Sequence, residues 1–343
     1  MMWFAGALQA TEVAHLYRVD VPVSSQQFKE RKRASSDALA RVVQRITGDT
    51  VALDEPLVKD ALQNSERYIQ QFSYYLSAAK SGKGDQYVRL LFDEMLVKQL
   101  LRQSKQPIWG SNRPMLMAWV AVEDNNDRYV ISSTEGMGWQ QVISQAGLDS
   151  GVPTLLPLMD LQDESSIGLQ DVWALLRSKL EMAAQRYHAE AILGGRIYQR
   201  SAGHWAGRWL LIFEGEAISF STQSDVMDDL AAQALAQVSR ILVKDYAIDT
   251  STQQNEKITL IVKNVKRLED YAGVMAYLSG FAMVHDVLVS AVEDETLTLL
   301  LTTEDDWSKL KSVIALDKIL LPSAGLVPEF DDGMMIMPYQ WNP

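Results

Sequence analysis

The chain has no cysteine. That excludes disulfides, thiolate catalysis, cysteine-based metal sites and a lipid-modified cysteine at a processed N-terminus, although it selects no compartment. Histidine is almost as scarce, with His15, His188, His204 and His285 scattered along the chain and no H-E-x-x-H motif, so a zinc hydrolase is not expected. Basic charge is in deficit: 32 Lys and Arg stand against 44 Asp and Glu, a formal net charge of -12. Nucleic acid and anionic membrane surfaces are therefore repelled unless a local patch overrides the field. No stretch approaches the ~18 continuous apolar residues of a membrane span, so no integral span is expected and the processed chain should be soluble.

What is present is enough apolar residue, 47% of 343 positions, to build two or three cores. The opening "MMWFAGALQA" is apolar, uncharged and rich in small residues, with an A-x-A pattern at Ala5-Gly6-Ala7 and a second cleavage position at Ala10. Residues 1–10 fit the remnant of a signal peptide whose basic start is missing, as a start codon placed too late would leave it. The protein is accordingly expected in the periplasm.

Hydrophobic periodicity divides the remainder into three regions, a mixture of α/β and α+β with three small modules, the last ferredoxin-like. In residues 12–106, "HLYRVDVPV" alternates as a strand and feeds a long helix opened by a serine cap and closed by Gly48. A short helix at "EPLVKDALQ", two strands joined by "KSGKGD", and the helix "DEMLVKQLLRQSK" complete a β-α-α-β-β-α order. "QPIWGSNRP" marks the boundary to residues 113–248. There, "MLMAWVAVE" and "VPTLLPLMD" are expected as buried strands, with "GWQQVISQAGLDSG" as the helix between them. A helix at "LRSKLEMAAQRYHAE", the strands "AILGGRIYQR" and "GRWLLIFEGEAISF" around a glycine turn, and a long amphipathic helix follow, an alternation that makes the sheet partly parallel. After the polar "DTSTQQNEK", residues 256–343 give β-α-β-β-α, with "DDGMMIMPYQW" as the closing strand.

No complete catalytic motif emerges. "EGMGWQQ" places Gly136 and Gly138 before a helix, with Asp160 at the end of the next apolar run. This imitates a dinucleotide fingerprint in which glycines admit a pyrophosphate and an acid binds ribose, but Gln141 takes the place of the third glycine. A plain strand-to-helix turn accounts for the glycines, and Asp160 serves equally as a cap. Paired carboxylates such as Asp163-Glu164 and Asp305-Asp306 sit at helix starts and turns, where acids favour the helix dipole. Met334, Met335 and Met337 would alternate on a strand and so fail to converge on a copper ion. The basic run Lys29–Arg33 fits a solvated helix face. "SAGHWAGRW" is a hairpin whose Trp205 is expected at an exposed tip, a partner surface. No catalytic residue, metal or cofactor is assigned.

Several phrases recur in order: "YRVDVPV" with "ITGD", "PIWGSNRPMLMAWVAV", "VPTLLPLMDLQD" with "DVW", and "VKNVKRLEDYAGVMAYLSGFAMVHDVLV". From about Val13 onward the chain resembles a proteobacterial family known by a domain-of-unknown-function number, twenty sixty-six. The resemblance implies an exported protein with no established activity. The expectation is a non-catalytic binding protein of the cell envelope, its partner another envelope protein or a cell-wall component. A nucleotide-binding protein or enzyme, with Gly136, Gly138 and Asp160 at the strand ends of the middle module, is the alternative.

Overall fold

The computed structural model describes residues 16–76, 86–124, 127–134, 138–201, 203–251, 256–323, 329–331 and 334–343. The signal remnant at residues 1–10, the "KSGKGD" turn, Gly136 and the Asp332-Gly333 turn lie outside them. The chain forms two compact units, one of residues 1–112 with 243–343 and the other of residues 113–242. Each of the three regions expected from sequence carries one sheet, while the first and last share a unit.

The first segment runs β1 (Arg18–Pro22), α1 (Phe28–Thr47), α2 (Pro56–Gln63), β2 (Ile69–Leu76), β3 (Gln86–Phe92) and α3 (Glu94–Gln103), in the expected order. The strands form an antiparallel sheet, β1-β3-β2. Val19, Val21, Val88, Leu90 and Phe92 alternate inward. The helix α1 is amphipathic because Ala34, Ala38, Leu39, Val42, Val43 and Ile46 recur at helical spacing, and all six are buried. Gly48 ends it at φ 72°, donating its N–H to the Gln44 carbonyl. The expected serine cap is not there: Gln27 holds the position without a side-chain hydrogen bond, and Ser25 falls two residues too early. Arg45, buried in the helix, donates to the Leu16 and Arg18 carbonyls and so fastens the chain entering β1.

The second unit contains β4 (Leu116–Asp124), β5 (Asp127–Val130), α4 (Trp139–Ser150), β6 (Thr154–Leu155), α5 (Leu161–Ser166), α6 (Leu169–Trp173), α7 (Arg177–Ala184), β7 (Ala191–Ser201), β8 (His204–Phe213), β9 (Glu216–Ser224) and α8 (Met227–Tyr246), whose last turn enters the first unit. Its strand order is β5-β4-β7-β8-β9, with β6 paired to β4. β4 runs parallel to β6 and β7, whereas β7, β8 and β9 form an antiparallel meander. β4 is buried on both faces, which is why its sequence is continuously apolar. Met117, Trp119 and Ala121 pack with Ile167, Val172 and Leu180 from α5 to α7. The glycines of β7 allow close approach: a Cβ at Gly194 would lie 2.6 Å from Leu180, and one at Gly195 2.5 Å from the Trp209 ring.

Three expectations change in this unit. "VPTLLPLMD" yields only the two-residue β6, since Pro153 and Pro157 cannot donate ladder hydrogen bonds and the Pro157 carbonyl instead accepts from Ser133. The short helices α5 and α6 were not expected at all. "GRWLLIFEGEAISF" is two strands, because Glu214 (φ 48°) and Gly215 (φ 80°) make a two-residue turn with both φ positive, a hairpin geometry.

The returning segment of the first unit contains β10 (Glu256–Lys263), α9 (Leu268–Ser279), β11 (Val284–Glu293), β12 (Thr296–Thr303), α10 (Trp307–Asp317), β13 (Leu320–Pro322), β14 (Glu329–Asp331) and β15 (Met334–Trp341). The sheet order is β11-β12-β10-β15-β13, with β14 on β15. β12 lies between β10 and β11, the split β-α-β of a ferredoxin-like arrangement, while the closing strand β15 runs parallel to β10. Met335 and Met337 are both buried, as strand alternation requires of one face. Ile108 and Ile248 exchange backbone hydrogen bonds at 3.1 and 2.9 Å, and Arg102 donates to both oxygens of Glu304, joining the two segments within the unit. No helix among the described residues is long and apolar enough to cross a membrane.

Candidate functional site

Asp160, proposed from sequence as a ribose ligand, begins α5 and accepts from the backbone N–H groups of Gln162 and Asp163. Arg186 grips it with Nη1 at 2.7 Å and Nη2 at 3.0 Å. The same Nη1 reaches Asp163, a carboxylate with no exposed surface, at 2.8 Å. Asp163 accepts in addition from the Tyr187 hydroxyl at 2.6 Å and the Met159 N–H at 3.0 Å. The Arg186 hydrogen bond comes first in holding the Asp160 carboxyl down at about 2, with two backbone N–H donors behind it. Burial, followed by the bond to Asp163, pushes the Tyr187 phenol up to about 12. Both acids are occupied by a knot that folds the loop before α5 onto the turn after α7.

Gly138 adopts φ 70° and ψ −127°, a conformation open to glycine, at the start of α4. Trp205 is not at an exposed tip. It lies one residue inside β8, beyond the turn at Gly203, and strand alternation turns its ring inward, where 8% of it is exposed. There it meets Trp139 edge to face, 5.1 Å between ring centroids. Trp139 follows Gly138 in the chain, so two positions singled out separately meet at one corner, where the Trp205 ring is buried and Gly138 is exposed.

The Lys29–Arg33 run behaves as the amphipathic pattern implies, with Arg33 paired to Glu30 and Asp37 on its own helix and Arg31 to Glu66. A different basic surface forms on the sheet of the second unit. Alternation along β7 brings Arg196, Tyr198 and Arg200 to the face that carries α6, and the antiparallel register sets Arg208 of β8 directly opposite Arg196. Across β8 the row continues to the exposed Ser221 of β9, with the exposed Ser219 two residues along the same face. Arg196 is half-buried, its Nε sealed from solvent without an acceptor, and its Nη1 reaches only the Trp173 carbonyl at 3.4 Å. Arg200 donates to the Gln223 side chain at 3.3 Å, and Arg208 is exposed. Among the described residues none of these three arginines makes an ion pair. The neighbouring Glu123 is taken by Arg128, which lies 4.3 Å over the Trp173 ring, and Trp173 in turn touches Tyr198. Like charges directly opposite on adjacent strands are destabilising, so an unneutralised pair in a protein of net charge -12 is a feature in want of a counterion. The R-x-Y-x-R alternation was its only sequence signal. The cluster forms no contiguous basic run, because it is completed by a residue across a hairpin.

The first unit holds a small cavity of about 30 Å³ lined by Asn112, Tyr246, Phe281, Met283 and Val313 among others. That is room for roughly one water. Among the described residues no three His, Asp or Glu side chains gather at metal-binding distances.

A family model matches here. It is described as a domain of unknown function (DUF8605) and covers residues 10–110, the first region of the chain. The match agrees with the resemblance to an uncharacterised family at that level, and family twenty sixty-six itself is not what it shows. None of the curated proteins matches. Among solved structures, one titled "Crystal structure of uncharacterized protein" is 15% identical over 39% of this chain and 92% of its own, with a TM-score of 0.18; at that score nothing about fold or function rests on it.

Proposed function

We propose that the protein is a non-catalytic binding protein of the cell envelope, located in the periplasm, and that its binding surface is the arginine-bearing sheet face of the second unit. The observation that carries this reading is the Arg196–Arg208 pair, set side by side across two strands with no acid to neutralise it among the described residues. Tyr198 and Trp173 beside it supply apolar contact, and the rigid β7–β8 hairpin holds the groups in place. The ligand is accordingly anionic. The chemistry of the other charged groups points the same way. Asp20, Asp160 and Asp270 are held below their ordinary range, first of all by arginine hydrogen bonds, which keeps them ionised rather than poised to give up a proton.

Capture from envelope extracts tests the reading. Wild-type protein is expected to retain a reproducible component that Arg208→Glu loses, and fractionation is expected to place the protein in the periplasm. Equal capture by both proteins, or a cytoplasmic location, overturns it.

A further inference from the structure

We propose that the Arg196–Arg208 pair is the seat of a phosphomonoester group. This rests on the reading of the sheet face as the binding surface and narrows it to a ligand class. Directly opposed residues of an antiparallel pair have Cβ atoms about 5 Å apart, so the two long side chains reach a common point above the strands. The pair carries two positive charges. A carboxylate meets one guanidinium in a bidentate fork and leaves the second uncompensated, whereas a phosphomonoester carries about −1.5 to −2 and presents three acceptor oxygens, enough for both forks. The surroundings favour the same choice. Ser221, opposite Arg208 on β9, adds an exposed hydroxyl donor on the same row, and Ser219, opposite Leu210, adds another on the same face two residues along. The nearest acid of the neighbouring strands, Glu123, is held by Arg128 and does not compete for the pair.

The test uses the full chain and inorganic phosphate as probe, titrated calorimetrically at constant ionic strength with acetate as comparison. Phosphate is expected to bind at least about tenfold more tightly than acetate, and Arg196→Gln or Arg208→Gln each to weaken it about tenfold or more. Arg208 is exposed, so its variant retains the fold, which circular dichroism checks. Cosedimentation with phosphatidylcholine vesicles containing phosphatidic acid tells a lipid-borne phosphomonoester from a soluble one. Phosphate bound no better than acetate, or bound equally by the glutamine variants, overturns the proposal. If that happens while Arg208→Glu still loses its envelope component, the ligand class alone is wrong; if capture is also unchanged, the reading of the surface falls with it.

Discussion

Asp163 shows how one residue is fixed by its surroundings. Its carboxylate has no exposed surface and three partners, Arg186, Tyr187 and the Met159 N–H. Asp163→Ala removes the acceptor of Tyr187 and of the Met159 N–H and leaves Arg186 with Asp160 alone, and donors stripped of a buried acceptor cost about 1–3 kcal/mol. Urea denaturation should register that loss, with Asp160→Asn costing less because Asp160 lies at the surface. The same knot has two pH signatures. Asp160 is held at about 2, below an unfolded value near ~3.9, so its contribution is present above about pH 4 and disappears as the pH falls towards 2. Tyr187 is raised to about 12, so its neutral phenol favours the fold below about pH 10, and that contribution is lost as the pH climbs to 12. Absorbance titration near the phenolate band should show Tyr187 among the late tyrosines, with Tyr277 and Tyr339, and Tyr187→Phe should remove one phenolate from that late portion.

At the scale of elements, the glycines of β7 and the turns make opposite predictions. Gly195→Ala would put a methyl 2.5 Å from the Trp209 ring, which itself donates to Thr222 and has nowhere to go, so overpacking should cost about 1–3 kcal/mol in thermal unfolding. At Gly203 a Cβ meets nothing, yet φ is 80°, so Gly203→Ala should cost only the backbone strain of about 1 kcal/mol. β11 is a ten-residue edge with Leu288, Val289 and Val292 exposed and neither Pro nor Lys to discourage pairing. Val292→Lys is expected to reduce light scattering of concentrated protein without lowering its melting temperature. Most of these elements were legible in the sequence where a single pattern ran uninterrupted: α1 from its apolar stripe, β1 from its alternation, β4 from its continuous apolar run. What escaped was local or non-contiguous. α5 and α6 have six and five residues, too few for a period to repeat, and β9 reads as a continuation of β8 because Glu214 does not announce a positive φ. The arginine face escaped for a further reason, since its charges meet through register and not through spacing.

For the whole molecule, the notable fact is that the first unit is built from both ends of the described chain around residues 113–242. Its first segment depends on the second through the Ile108–Ile248 bridge, the Arg102–Glu304 pair and the Asn112 donation to Asp317 at 2.8 Å. Removing residues 243–343 should therefore leave the β1-β3-β2 sheet without a cooperative melting transition, as calorimetry would show by loss of a heat-absorption peak. The arrangement also imposes a timetable on biosynthesis. Once residue 112 has been made, 229 more must be joined before β15 is complete at Trp341. At ribosomal speeds of roughly 5–20 residues per second that is on the order of ten to fifty seconds. During that interval Arg102, Ile108 and Asn112 wait for partners not yet made, while the inserted unit has all of its own strands in hand. The end of the first segment is thus the last part of the first unit to find its partners, and it stays open to proteases until the chain returns.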